Sequence, residues 1–137
     1  MGTQHKALTW TGWAITGLMG LALMFSAIMK FRNPPEIAEQ LVDKFGYPAD
    51  LTLTIGVVEV ACAVLYLIPQ TWVLGVILLT GYLGGATATH VRVNDNFVSP
   101  IIVGVLVWLG IYLRDPRLRA LLPWRSVAAP STVGEPR

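Results

Sequence analysis

Four apolar stretches separated by short polar joints run along this chain: Thr9–Phe31, Leu51–Pro69, Trp72–His90, and a fourth ending at Leu113. Each is apolar around most of its circumference, a pattern that fits helices surrounded by lipid or by each other. The first is bounded by Trp10 and Trp13 at one end and by Lys30 and Arg32 at the other, residues suited to membrane interfaces. It is longer than the core of a signal peptide and has no small-x-small cleavage site, so it is expected to be retained. Between the first two stretches, Ile37, Leu41 and Phe45 recur every fourth residue, opposite Glu36, Glu39, Gln40 and Asp43. With Pro34 and Pro35 ahead and Gly46 behind, this predicts a short amphipathic helix lying on the bilayer surface or capping the bundle.

The remaining joints are tighter. Asp50 is placed to N-cap the second span, and only Gln70 and Thr71 separate Pro69 from Trp72, which demands an antiparallel hairpin. Arg92–Phe97 is a polar turn. Counted from Pro100 the fourth span has about 14 residues, or ~21 Å at the helical rise, so it is expected to begin near Phe97. Arg114, Asp115 and Pro116 stop it. The expected organisation is an N-terminal segment (1–8), a transmembrane domain (9–113) and a basic, Pro-rich, largely disordered tail (114–137). In that tail Leu118, Leu121, Leu122 and Trp124 are expected to touch the interface. The fold class is an all-α integral membrane protein, a bundle of four transmembrane helices with a short amphipathic helix between the first two.

Small residues mark close helix contacts. Gly12, Thr16 and Gly20 form one small-xxx-small ridge, and Gly81, Gly85 and Thr89, with Gly84 and Ala88 beside them, form another. Thr80, Gly84, Thr87 and His90 follow a second, more polar stripe on the third span.

One carboxylate, Glu59, stands near the middle of the second span, on a face with Gly56, Ala63 and Tyr66. An ionised Glu there costs roughly 2.5–3.5 kcal/mol on insertion scales, so it is expected to face protein, water or a ligand. Ser26 and Lys30, four apart, share a face of the first span. Lys30 closes that span at the same end at which His90 and Arg92 close the third. Glu59 lies ~12 Å below that end at 1.5 Å per residue, within reach of a lysine stem turned inward. Lys30, Glu59 and His90 are therefore expected to converge, with Ser26, Thr87 and Arg92, as the mouth of a polar pocket. The plainer alternatives are a structural ion pair for Glu59 and headgroup contacts for Lys30, His90 and Arg92.

Composition agrees with the pattern. Hydrophobic residues make up 54% of the 137, charged residues 13%, and mean hydropathy is +0.60. A soluble chain carries about 25% charged residues. The formal charge of +2 and the absence of a basic run argue against nucleic acid. The single cysteine, Cys62, rules out an intrachain disulfide and dithiol chemistry of the vitamin K epoxide reductase kind. One His near a helix end offers neither a metal site nor paired haem ligands, and no cofactor motif is evident. Lys6, Arg114, Arg117, Arg119, Arg125 and Arg137 fall on one side of a four-span topology. Lys30, Arg32, Lys44 and Arg92 fall on the other, beside five acids. The positive-inside rule then puts both termini in the cytoplasm.

Lys30 at the end of the first span, GVVEVACAVLYLIP (56–69) and GYLGGATATH (81–90) together resemble the DoxX and DoxX-like membrane proteins, small four-helix proteins of bacteria and archaea. The resemblance covers about residues 10–113 and implies a location in the inner membrane of a prokaryote. It also implies a link to quinol oxidase or thiosulfate:quinone oxidoreductase systems and to oxidative-stress complexes. Three functions stay open. One is an accessory subunit binding a quinone or lipid beside a membrane or peripheral oxidoreductase partner, not catalytic alone. The others are a small proton-coupled transporter using Glu59 and a non-catalytic assembly protein, either of them as a homo-oligomer or not. Four-helix multidrug exporters also use one membrane Glu, but in their first helix.

Overall fold

A computed structural model describes residues 2–123, and every described element is helical. Helix α1 (Gly2–Arg32) extends the first apolar stretch toward the N-terminus by one polar segment. Along that extension the Thr9 and Thr11 hydroxyls donate to the His5 and Ala7 carbonyls at 2.9 Å. A short helix α2 (Pro35–Ala38) passes into a wider π-helical turn, Glu39–Lys44. Then come α3 (Leu51–Leu67), α4 (Trp72–Arg92), α5 (Val98–Arg114) and a final turn, α6 (Pro116–Leu121).

The boundaries follow local chemistry. Ile68 is extended ahead of Pro69, which disfavours the helical region in the residue before it, so α3 ends at Leu67. Gly46 takes the positive φ of 74° that ends the π-turn. Helix α5 begins at Val98, where the short span required it to begin. Asp50 occupies the N-cap of α3, but its side chain makes no capping bond, contrary to expectation. The backbone there is already helical (φ −70°, ψ −20°), whereas a capping residue needs an extended one.

Helix α1 packs against α3 and α5, and α4 packs against the same two, closing an antiparallel ring. Three glycines set the spacing. A methyl group built on Gly12 would lie 2.6 Å from the Arg114 amide nitrogen and 2.7 Å from the Gly110 carbonyl. One built on Gly110 would lie 2.9 Å from Thr16 Oγ1. At Gly75 it would run into the backbone of Leu65 and Tyr66. Gly20, as the small-residue ridge implied, packs on the Leu67 side chain.

The bundle has a packed half and a hollow half. Met19, Leu23, Cys62, Ala63, Tyr66, Val76, Leu79, Val107 and Ile111 fill the half nearer the N-terminus. Leu118 of α6 closes that end against them, with α6 capped by Asp115 accepting from the Arg117 amide at 2.8 Å. At the other end the four helices stand apart around a cavity.

Leu21, Phe25, Leu53, Val57, Ile77, Val105 and many more project outward from all four helices. Apolar surface this continuous suits lipid. Helices α1 and α4 are long and apolar enough to cross a bilayer. Helices α3 and α5 are apolar but have 17 residues each. That is about 26 Å at the helical rise, short of a hydrocarbon core of ~30 Å. Of the tail expected from residue 114, the part up to residue 123 is described and is helical over Pro116–Leu121; residues 124–137, Trp124 and Arg125 among them, lie outside the described residues.

Candidate functional site

The cavity has a volume of about 770 Å³ and is walled by α1, α3, α4, the start of α5 and the segment from Ile37 to Tyr47. Most of its wall is apolar, with Leu23, Phe25, Val58 and Leu83 among the lining residues. Set into that wall is an ion pair. Lys30 Nζ lies 2.9 Å from Glu59 Oε2 and donates a second hydrogen bond to Ser26 Oγ at 2.8 Å. The two side chains are 14% and 3% exposed, so each takes the other in place of water.

Local sequence makes this pair reachable. Ser26 and Lys30 are one helical turn apart, so the hydroxyl receives the ammonium as the stem folds back along α1. One turn before Glu59, Gly56 faces the same helix: a methyl there would sit 2.9 Å from the Phe31 ring and 3.3 Å from Lys30 Cβ. The missing side chain lets α1 and α3 come close enough for the lysine to bridge them.

A second cluster rims the cavity. Asp95 Oδ2 is 2.9 Å from both Lys44 Nζ and His90 Nδ1. A carboxylate can only accept, so Nδ1 carries a proton and a neutral His90 keeps Nε2 as an acceptor. The bond from Lys44, together with the Asn96 backbone, holds the Asp95 carboxyl below the usual carboxylate range. The Phe45 ring meets His90 edge-on at 4.8 Å. Thr89 donates to the Gly85 carbonyl at 3.0 Å, which leaves the Tyr47 hydroxyl to donate to Thr89 Oγ1 at 2.7 Å. Arg92 donates to the Phe45 carbonyl.

The expected constellation is thus divided. Lys30, Glu59, Ser26 and His90 all line the cavity, but His90 bonds to the rim and not to the ion pair. Thr87 and Arg92 do not line it. Thr80 and Gly84 are each offset by one residue, about 100° of helix, from the cavity-facing Gly81 and Gly85, and Thr87 follows Gly84 on that other face. It opens instead on a smaller groove between α4 and α5, where Trp108 Nε1 donates to Thr80 Oγ1 at 2.9 Å. Arg92 is drawn outward to the Phe45 carbonyl. Gly81 and Gly85 need correction as packing residues: a methyl at either would meet nothing within 4 Å. Both line the cavity, where small side chains leave room.

Sequence reasoning missed Gln40, Tyr47, Tyr82 and Thr54, which also line it. Gln40 reads as an outer-face residue at strict α-helical spacing, and the π-turn rotates it inward. Tyr82 carried a signal, a polar-tipped aromatic beside a glycine stripe. Among the described residues no three of His, Cys, Asp and Glu cluster so as to hold a metal ion.

A family model described as the DoxX-like family matches residues 14–110, a range that takes in most of all four long helices and the cavity between them. No curated protein and no solved structure matches the chain.

Proposed function

The chain belongs to the DoxX-like family, and from that premise we propose that it is a multi-pass membrane protein whose cavity binds a small apolar-bodied molecule, a quinone or a lipid. It does so as an accessory subunit of a membrane redox or oxidative-stress system. The supporting observation is the cavity of about 770 Å³ with the Lys30–Glu59 pair in its apolar wall. Its size falls within the ~300–1,000 Å³ of small-molecule sites, and its make-up follows theirs, apolar walls with a few placed polar groups. A quinone fits this donor set: Lys30 offers an N–H to a ring oxygen, and Glu59 offers a place to hold a proton. When bound, such a molecule would supply two-electron chemistry that the chain's own side chains lack.

In this reading all four long helices span the inner membrane of a prokaryote, both termini are cytoplasmic, and the cavity mouth faces outward. The segment from Pro35 to Tyr47 lies over that mouth. A buried carboxylate also favours a small proton-coupled transporter as a second reading. The packed half speaks against it, since Ala63, Tyr66, Val76, Leu79 and Ile111 are all fully buried between Glu59 and the opposite end.

Native mass spectrometry from mild detergent tests the proposal. The wild-type protein should carry a copurified small molecule. Gly85→Leu, which adds a side chain where nothing stands within 4 Å, should fold and lose it. Equal retention in both would end the cavity reading.

A further inference from the structure

The cavity contains charge but no net charge, and this bears on what it can hold. Lys30 from α1 and Glu59 from α3 are paired at 2.9 Å. A proton passing between them would leave their sum at zero. At the rim, the Asp95 carboxylate is already paired with the Lys44 ammonium at 2.9 Å and accepts from His90 Nδ1 at 2.9 Å. Glu36, Glu39 and Asp43 are exposed on the segment over the mouth, Arg92 is exposed on α4, and none of the four lines the cavity. Helix α5 contributes no ionisable residue to the wall.

The pair also has a limited hydrogen-bonding remainder. An ammonium has three N–H groups, and two are committed, to Ser26 Oγ and Glu59 Oε2. The third stays available. Glu59 faces the Tyr82 hydroxyl as well as Lys30, and a carboxylate, with about four lone-pair sites, keeps acceptor capacity beyond those two partners. One donor and one acceptor therefore stand side by side in an apolar wall.

We propose that this site selects an amphiphile with an uncharged polar end, one that accepts a hydrogen bond from Lys30 and donates one to Glu59. Carboxylate, phosphate and ammonium heads on the same tail are turned away. The inference rests on the cavity-binding reading above and deepens it by naming the class of ligand. An ionic head would bring a third charge into a site where the first two already satisfy each other. Its desolvation would go uncompensated, and that cost exceeds what one added hydrogen bond returns. A hydroxyl or a phenol meets both free groups and loses little on leaving water. Phospholipid headgroups bearing phosphate belong to the rejected class.

Three probes with one tail separate the possibilities: decanol, decanoate and decylammonium. Each is presented to the purified protein at equal concentration in the detergent micelle at neutral pH, and the bound fraction is counted by native mass spectrometry. The wild type should favour decanol over both ions by about tenfold or more, the scale expected for burying one unpaired charge. Glu59→Gln leaves Lys30 unpaired and should shift preference toward decanoate. Lys30→Met leaves Glu59 unpaired and should shift it toward decylammonium. Lys30→Arg keeps the charge balance and should keep the wild-type order. Equal binding of the three probes by the wild type overturns head selection while the cavity reading stands. So does a preference that stays the same in Glu59→Gln and Lys30→Met. If no probe binds the wild type above the level seen with Gly85→Leu, the cavity reading fails and the selection proposal with it. Should one variant not fold, the wild-type series alone decides.

Discussion

Lys30 stands two residues from the end of α1, and Glu59 sits about two turns into α3. Neither position is comfortable for a charge alone. The lysine could reach headgroups if it turned outward, yet its Nζ points inward to Ser26 and Glu59. What turns it is the carboxylate, buried to 3% exposure, together with the opening left by Gly56. Removing one partner of a buried pair strands the other, at a cost of about 3–5 kcal/mol in soluble proteins. Glu59→Gln and Lys30→Met are therefore each expected to destabilise the protein by roughly 3 kcal/mol, and the double variant by clearly less than the sum. Thermal unfolding in detergent reads all three. Strictly additive losses would mean that the two side chains do not depend on each other.

Among the helices, the glycines divide by what faces them. Gly75 lies against the backbone of Leu65 and Tyr66, in a hairpin whose linker is pinned by the Thr71 hydroxyl bonding to the Leu65 carbonyl at 2.9 Å. Gly75→Ala should force α3 and α4 apart and cost about 1–3 kcal/mol, as overpacking does. Gly85→Ala, facing open space, should leave the unfolding temperature nearly unchanged. Equal effects would place the hairpin contact elsewhere. This division was only half legible in the sequence. Spacing identified Gly81 and Gly85 as sharing a small face, but spacing cannot say whether a neighbour or a cavity faces it. Gly75 has no glycine partner one turn away and so carried no signal. By contrast, Lys30 and Glu59 could be matched from sequence because apolar helices offer a buried charge few alternatives. Gln40 and Tyr47 could not, since their placement depends on a π-turn and a chain reversal that α-helical periodicity does not describe.

At the scale of the molecule, a tightly packed half supports a hollow half, and the outer surface is apolar around both. The hollow end carries Lys30, Arg32, Lys44, His90 and Arg92 together with Glu36, Glu39, Asp43, Asp50 and Asp95. The packed end carries Lys6, Arg114, Arg117 and Arg119 with Asp115 alone among the described acids. Basic residues near helix ends stay in the cytoplasm and acids count for little; with Arg125 and Arg137 of the sequence added to the packed end, six basic residues against four make that end the one expected inside. The shortness of α3 and α5 sharpens the consequence: at about 26 Å each they can span only where the bilayer thins or where flanking residues reach out to the headgroups. The turn between α4 and α5 must then lie close to the surface. Asn94 in that turn is exposed, with a φ of 55°. A cysteine at this position, in a Cys62→Ser background that removes the one buried thiol, should react with a membrane-impermeant maleimide in intact cells. Reaction only after lysis would invert the bundle and turn the cavity mouth toward the cytoplasm. The ligand would then have to come from that side or from the inner leaflet.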